Sequence, residues 1–195
     1  MSSAVSQFLT DPWSTLKVLA PSVAVEIILH KQVWQKASLR DLTLCLALVN
    51  AYWLGTTLNV SFFETPLLCQ VPGLDERQRG EITRHRYGFI NKAELVIGVV
   101  SLDLYCEWRK RIMDHNGFVD LCLSKAVIAP VLISFAQSAY LLPKASECCR
   151  DRQIAGVRDS TKQKCNIHRA YVGFEAAKLV GVAVAGLRFG KMLTV

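Results

Sequence analysis

The fold class is decided by Leu42–Phe63, which has the sequence LTLCLALVNAYWLGTTLNVSFF and contains no charged side chain. An α-helix needs about 20 mostly apolar residues to cross the hydrocarbon core of a bilayer, and this stretch meets that length. Glu64 and Pro66 follow it and end the apolar pattern. The stretch therefore predicts a membrane-spanning helix over residues 42–68.

Three further apolar segments follow along the 195-residue chain. Together with the first, they predict membrane spans at about residues 42–68, 87–108, 119–142 and 170–187. Long polar connectors separate these spans, which explains a hydrophobic fraction of only 51%. The predicted fold is all-α, a polytopic membrane four-helix bundle formed by residues 42–195.

Residues 1–41 are predicted to be an N-terminal amphipathic segment. Trp13–Lys36 has a helical pattern that breaks or restarts at Pro21, and its apolar run is too short to cross the membrane. We expect this helix to lie along the membrane interface, and the alternative is a helix packed on the bundle. Met1–Asp11 is polar, so no secretory signal is expected there.

The formal net charge of +7 suits either anionic lipid head groups or nucleic acid. No block of Lys and Arg alternates with stacking aromatic residues, so we predict anionic lipids as partners and no nucleic acid. Basic residues lie on both sides of the predicted spans and do not settle the orientation.

Seven cysteines form no CxxC pair and no Cys/His spacing typical of a metal site. The adjacent Cys148 and Cys149 are interpreted as ordinary loop thiols, with palmitoylation or redox activity as alternatives. We expect no disulfide framework.

Charged residues inside two predicted spans are the main candidate site. Lys92, Glu94 and Asp103 lie in the second span, and Glu175 and Lys178 lie in the fourth. A charge at mid-bilayer costs roughly 2.5–3.5 kcal/mol on insertion scales. Lys92 and Asp103 are expected near the interfaces, where their side chains can reach water. Glu94 and Lys178 are deeper, so we predict that they pair, or that Glu94 and Glu175 share Lys178.

A functional alternative exists for the same three residues, because intramembrane carboxylates and lysines can relay protons or bind ions. Small residues on the fourth span predict close helix packing, since they let helix backbones approach in lipid. This small-residue stripe consists of Gly173, Ala177, Gly181 and Ala185, and Gly98 lies on the matching face of the second span. The pattern predicts that the second and fourth spans pack together.

His85 and His168 open the second and fourth spans, so they are candidate ligands of haem or a metal. Both precede Arg at the expected interface, where His is common, and we therefore predict no cofactor and no metal. Short catalytic motifs such as GxSxG, HExxH or a glycine-rich phosphate loop do not occur, and no enzyme or catalytic residue is predicted.

The chain also resembles itself. The segment His85–Val99 is similar to His168–Val182, and each follows a span that ends near a proline, Pro66 or Pro143. The similarity indicates a duplicated helical hairpin, with chance agreement between two helix starts as the alternative.

Several short motifs resemble the transmembrane protein 205 family and its bacterial relatives. They are Trp53-Leu54-Gly55, Val60-Ser61-Phe62-Phe63, Pro66-Leu67-Leu68, Ala139-Tyr140-Leu141-Leu142-Pro143-Lys144, His168, and Val184-Ala185-Gly186-Leu187. The resemblance covers about Leu42–Leu193 and implies a four-helix membrane protein without established catalytic residues. The chain departs from the family in the last span, where the family tends to have an amide near the position of Glu175.

The expected function is that of a non-catalytic integral membrane protein, a structural or accessory subunit that binds other membrane subunits of a larger complex. The charged segments 75–86 and 144–169 offer docking surfaces, and the basic composition favours the mitochondrial inner membrane over an endomembrane. One alternative is a small transporter or channel that uses Glu94, Glu175 and Lys178. Another is a soluble helical bundle in which Leu42–Phe63 is wholly buried.

Overall fold

The computed structural model describes residues 8, 11, 13–145 and 161–194, and no β-strand occurs among them. The helices are α1 (Trp13–Leu29), α2 (Leu39–Leu58), α3 (Thr65–Gln70), α4 (Glu76–Asp114), α5 (Leu121–Ala136) and α6 (Thr161–Leu193). Three π-helical segments continue α1, α2 and α5, at His30–Trp34, Asn59–Glu64 and Gln137–Leu141. The predicted all-α class is confirmed for the described residues.

Polar side chains fix where the long helices begin. The Ser38 hydroxyl accepts from the Asp41 N–H at 3.1 Å, and the Asp41 carboxylate accepts from the Ser38 N–H at 3.2 Å. Asp75 and Gln78 form the same reciprocal capping box at the start of α4. Residues 76–86 are therefore the first turns of a 39-residue helix and not a connector, which the sequence had suggested.

The helix contacts define which faces are buried. α2 packs against α4 and α6, α5 packs against the same two helices, and α1 packs against α4. The backbones of α4 and α6 are not close neighbours, because α2 and α5 each lie beside both helices. Side chains of α4 and α6 still meet in the interior, where the Lys178 ammonium lies 2.7 Å from the Glu94 carboxylate. An apolar core at one end gathers Leu42 and Leu46 of α2, Leu104 and Trp108 of α4, and Phe189 of α6.

The small-residue stripe of α6 consequently meets α5. A Cβ atom added to Gly181 would lie 2.7 Å from Cγ of Pro130 and 3.3 Å from the Ala126 carbonyl oxygen. Gly173 and Ala177 are exposed, whereas Ala185 is buried in the apolar core. The stripe therefore joins α6 to α5 along only part of its length.

Replacement of Gly181 by Ala should lower the stability of the folded protein by about 1–3 kcal/mol, because the methyl group overlaps the ring of Pro130. Thermal unfolding in detergent measures the effect. Gly173→Ala on the same helix is the matched control, because among the described residues no atom outside the neighbouring backbone lies within 4 Å of its added Cβ. Equal unfolding midpoints for the two variants would contradict this packing.

Gly98 of α4 also faces α5. Its added Cβ would lie 3.2 Å from Cγ1 of Val131 and 3.5 Å from the Trp53 ring. The missing side chain at Gly98 therefore lets α4 lie close to α5 and α2. The sequence had suggested instead that Gly98 contacts α6.

Three helical stretches are long and apolar enough to cross a membrane: Leu39–Leu68, Leu121–Ala145 and Arg169–Leu193. They coincide with the predicted first, third and fourth spans. The predicted second span, 87–108, lies inside α4, but its charged residues exclude it from this group of apolar stretches. The chain therefore has the features of a membrane protein with three apolar spanning helices.

α1 does not have an apolar face turned inward. Ser14, Thr15 and Glu26 are its buried residues, whereas Val25 and Ile27 are 56% and 55% exposed. The helix continues through Pro21 without a break. It packs against the other helices, which was the alternative to lying along the interface.

The contacts of α1 with α4 run in the same order along both helices. Thr15 meets Lys92, and His30 lies next to Asp103. Farther along, the backbone of the π-helical segment after α1 meets Arg111. α1 therefore lies lengthwise and parallel to α4, so its own polar residues and those of α4 face each other.

Throughout the described structure, charged and polar side chains are buried while many large apolar side chains are exposed, and we call this the inverted distribution of side chains. Its buried side chains include 16 polar or charged residues, as many as the apolar ones. Leu132 and Leu187 are 64% and 73% exposed, while Glu94 and Lys178 have no exposed surface. A protein in water has the opposite preference, since charged residues are almost never fully buried and large apolar groups usually are.

Candidate functional site

The candidate site is a buried charge cluster of Glu94, Gln137, Glu175 and Lys178. The Lys178 ammonium donates to Glu94 Oε2 at 2.7 Å, to Glu175 Oε1 at 2.9 Å and to Gln137 Oε1 at 3.0 Å. Gln137 closes the cluster by donating from Nε2 to Glu175 Oε1 at 3.0 Å. The structure thus brings Glu94, Glu175 and Lys178 together, with Lys178 shared between the two carboxylates.

Hydroxyl and indole groups of the α2 region complete the cluster. Thr57 donates to Glu94 Oε1 at 2.6 Å, and the Trp53 indole donates to the same oxygen at 3.3 Å. Ser61, in the π-helical segment after α2, donates to Glu175 Oε2 at 3.3 Å. Side chains from α2, α4, α5 and α6, with their π-helical continuations, therefore meet at one point.

The hydrogen-bonding capacity of the central charges is used within the protein. Each of the three N–H groups of Lys178 has an acceptor, and each carboxylate oxygen of Glu94 and Glu175 has a donor. The three side chains are 0–3% exposed. A buried charge is tolerated when it is paired and its remaining polar atoms are satisfied, and this cluster meets both conditions.

A second polar contact surrounds Lys92. Its ammonium donates to Thr15 Oγ1 and to Ser138 Oγ, both at 2.9 Å, and these two hydroxyls lie 3.1 Å apart. Lys92 is only 6% exposed. The Lys92 side chain therefore does not reach water as expected, because α1 and the π-helical segment after α5 enclose it.

A third set of contacts joins α1 to α4, and we call it the polar seam. Its members are Glu26, His30 and Trp34 on α1 and its π-helical segment, and Asp103, Glu107 and Arg111 on α4. Between the two helices, His30 Nδ1 lies 2.9 Å from Asp103 Oδ1, and Arg111 donates to the Trp34 carbonyl oxygen at 2.9 Å. Within each helix, Trp34 Nε1 donates to Glu26 Oε1 at 3.0 Å, and Arg111 Nε donates to Glu107 Oε1 at 2.9 Å. Asp103 therefore has a partner on α1 and does not depend on the interface alone.

Sequence reasoning missed the polar seam, although its signal is present. Glu26, His30 and Trp34 follow one another at four-residue spacing, as do Asp103, Glu107 and Arg111. Residues four apart lie on one face of a helix, so each helix presents a polar row. The match between the two rows indicates that they face each other.

The π-helical segments supply many of these polar contacts. They contribute His30 and Trp34, then Ser61, and finally Gln137 and Ser138. A π-helical turn shifts the helix face by one residue, and such turns are frequent at functional sites. Two of these segments end just before Thr65-Pro66 and Leu142-Pro143, at matching places in the two hairpins of the predicted duplication.

The remaining candidate ligands are not brought together by the described contacts. The side chain of His168 lies outside the described part of the structure, as do Cys148 and Cys149. His85 is half-buried, with no hydrogen-bond partner for Nδ1 among the described residues. Within that same part of the chain, no group of three His, Cys, Asp or Glu side chains could hold a metal ion.

Comparisons with models of known protein families, with curated proteins and with solved structures find no match to this chain. The transmembrane protein 205 family therefore stays an expectation that rests on the short motifs quoted above.

Proposed function

We propose that the chain is an integral membrane protein in which α2, α4, α5 and α6 form a four-helix bundle across the bilayer, with α1 alongside α4. We further propose that it is a non-catalytic structural or accessory subunit of a larger membrane assembly. The observation that carries the proposal is the inverted distribution of side chains, with charges inside and large apolar groups outside.

The charges of α4 do not prevent it from crossing the bilayer in this arrangement. Glu94 is paired with Lys178, Lys92 is enclosed by two hydroxyls, and Asp103 lies against His30. Each charge would cost roughly 2.5–3.5 kcal/mol if it faced lipid alone. Because neighbouring helices bury Lys92 and Glu94 and provide a partner for Asp103, α4 would cross as part of the bundle and not as an independent span.

The form of the buried charge cluster supports a structural role. Its donors and acceptors are hydrogen-bonded to one another, and these bonds connect side chains from four helices and so stabilise their packing. An ion or proton pathway needs polar groups that exchange partners with water, and the central carboxylates are at most 3% exposed. The transporter or channel alternative therefore has less support from this geometry.

A surface for protein partners is available where α4 leaves the apolar region. Residues 76–86 add about 17 Å of helix beyond the predicted span, at 1.5 Å per residue. This projection carries both acidic and basic side chains. Such a charged, rigid helix suits a fixed partner subunit, and a basic protein of this kind fits the mitochondrial inner membrane.

Two measurements test the proposal. After carbonate extraction the protein should stay with the membrane pellet, and release into the supernatant would favour the soluble bundle. After purification in mild detergent it should co-migrate with other chains at constant stoichiometry. Flux of ions into liposomes by the isolated protein, lost in Glu94→Gln, would instead support the transporter and contradict the accessory role.

A pair of variants locates the partner surface. Arg79→Glu on the projection should reduce the co-purified chains, and it should not harm the fold because an acidic residue suits the first turns of a helix. Arg109→Glu, exposed at the other end of α4, is the matched control. Equal recovery of partners with both variants would contradict docking on residues 76–86.

A further inference from the structure

One end of the molecule gathers the termini of several helices. Arg188 of α6 lies 3.3 Å from the carboxylate of Asp120, which caps α5. Arg111 near the end of α4 donates to the Trp34 carbonyl oxygen at 2.9 Å, next to the start of α2. The ends of α1, α4 and α6 and the starts of α2 and α5 therefore share one face.

Basic side chains surround this face, and we call the set the basic end. Its members are Lys31, Lys36, Arg40, Arg109, Lys110, Lys125 and Lys191, all of them exposed. Among the described residues, none of the seven has a carboxylate within 4.0 Å, whereas Arg111 and Arg188 are already paired. The basic end thus carries positive charge that the described part of the protein does not neutralise.

Exposed apolar side chains lie within the same face. Phe118, between α4 and α5, is 90% exposed, and Leu121 at the start of α5 is 65% exposed. Arg109 and Lys110 precede this connection by a few residues. Apolar side chains beside basic ones are typical of segments that enter the boundary between lipid head groups and acyl chains.

We propose that the basic end binds the head groups of anionic phospholipids in one leaflet, with Phe118 inserted at the acyl boundary. The inference rests on the proposed bilayer crossing, which places this face at the depth of the head groups. Anionic lipid is the occupant because the face offers unpaired cations and a short apolar projection together, which complement a phosphate layer over hydrocarbon.

The test uses the purified full chain in neutral detergent. Phosphatidylglycerol should raise the thermal unfolding midpoint, and phosphatidylcholine at the same concentration should not. The concentration of phosphatidylglycerol that gives half of the maximal rise is measured for the wild type and for variants. Each side chain removed from the basic end should increase this concentration about fivefold. Arg109→Gln/Lys110→Gln/Lys191→Gln should therefore need on the order of 100-fold more phosphatidylglycerol.

A matched control removes three basic residues from the opposite end, Arg79→Gln/Arg84→Gln/Arg169→Gln, and should titrate like the wild type. Added salt should weaken the effect for the wild type, because exposed charges are screened. This salt titration needs no variant, so the proposal stays testable if the triple variant does not fold.

Equal rises with both lipids would overturn the proposal, as would an equal loss in both triple variants. An unfolding midpoint that responds to an acidic peptide but not to phosphatidylglycerol would also overturn it, in favour of a protein partner. Failure of the bilayer crossing has a separate signature, since the protein would then be released by carbonate before any lipid titration is made.

Discussion

Lys178→Met will lower the free energy of unfolding by about 3–5 kcal/mol, the largest effect expected of any single substitution in this protein. The change leaves the carboxylates of Glu94 and Glu175 buried without their shared cation. It also leaves Gln137 Oε1 without the donor that it has at 3.0 Å. Removal of one partner from a buried ion pair is costly because the remaining charge is neither solvated nor neutralised.

Thermal unfolding of detergent-purified protein measures this loss, and the midpoint should fall by about 10 °C for a domain of this size. Lys191→Met is the matched control, because it makes the same substitution at an exposed position of the same helix. Glu94→Gln combined with Lys178→Met should recover part of the stability, since it removes one of the unpaired charges. If Lys178→Met and Glu94→Gln are each as stable as the wild type, the buried charge cluster does not stabilise the packing of the helices.

Arg111→Met will release α1 from α4 and lower the free energy of unfolding by about 2–4 kcal/mol. The guanidinium pairs with Glu107 at 2.9 Å and donates to the carbonyl oxygens of Trp34, Gln35 and Ala37. These carbonyls belong to the end of α1's π-helical continuation and the connection to α2. Methionine replaces the bulk of the side chain but none of these donors, and Glu107 is only 6% exposed.

Hydrogen exchange distinguishes this outcome from general destabilisation. Amides of residues 13–34 should exchange faster in Arg111→Met, while those of α5 should keep their protection. Arg109→Met, exposed on the same helix, is the control and should change neither region. Uniform loss of protection across all helices would contradict the role of Arg111 as the attachment of α1.

The sequence is informative about charges and less so about neighbours. Glu94, Glu175 and Lys178 could be grouped in advance, because a charged side chain in an apolar helix is strongly destabilising unless an opposite charge lies beside it. Gln137 could not, since a neutral amide within an apolar stretch carries no comparable penalty. The packing of Gly181 against Pro130 also could not be anticipated, because helix order around a bundle depends on all contacts at once.

The position of α1 could not be predicted from its own sequence pattern, because it depends on contacts with a distant helix. Its short apolar run and interrupting Lys17, Pro21 and Glu26 suggested a position at the interface. A single helix pattern cannot show that His30 and the Trp34 carbonyl oxygen have partners on a segment far along the chain. The two polar rows of the polar seam predict this contact only when the patterns of both helices are compared with each other.

The order of the polar contacts of α4 along the chain has a consequence for how the proposed membrane bundle would assemble during synthesis. Thr15 and His30, which meet Lys92 and Asp103, leave the ribosome before α4 does, as do Trp53 and Thr57, which donate to Glu94. Lys178 follows Glu94 by 84 positions and arrives last. The N-terminal half of the chain thus contains the polar partners of α4, the least apolar of the long helices. In the proposed bilayer crossing, insertion of α4 would therefore depend on segments translated before it.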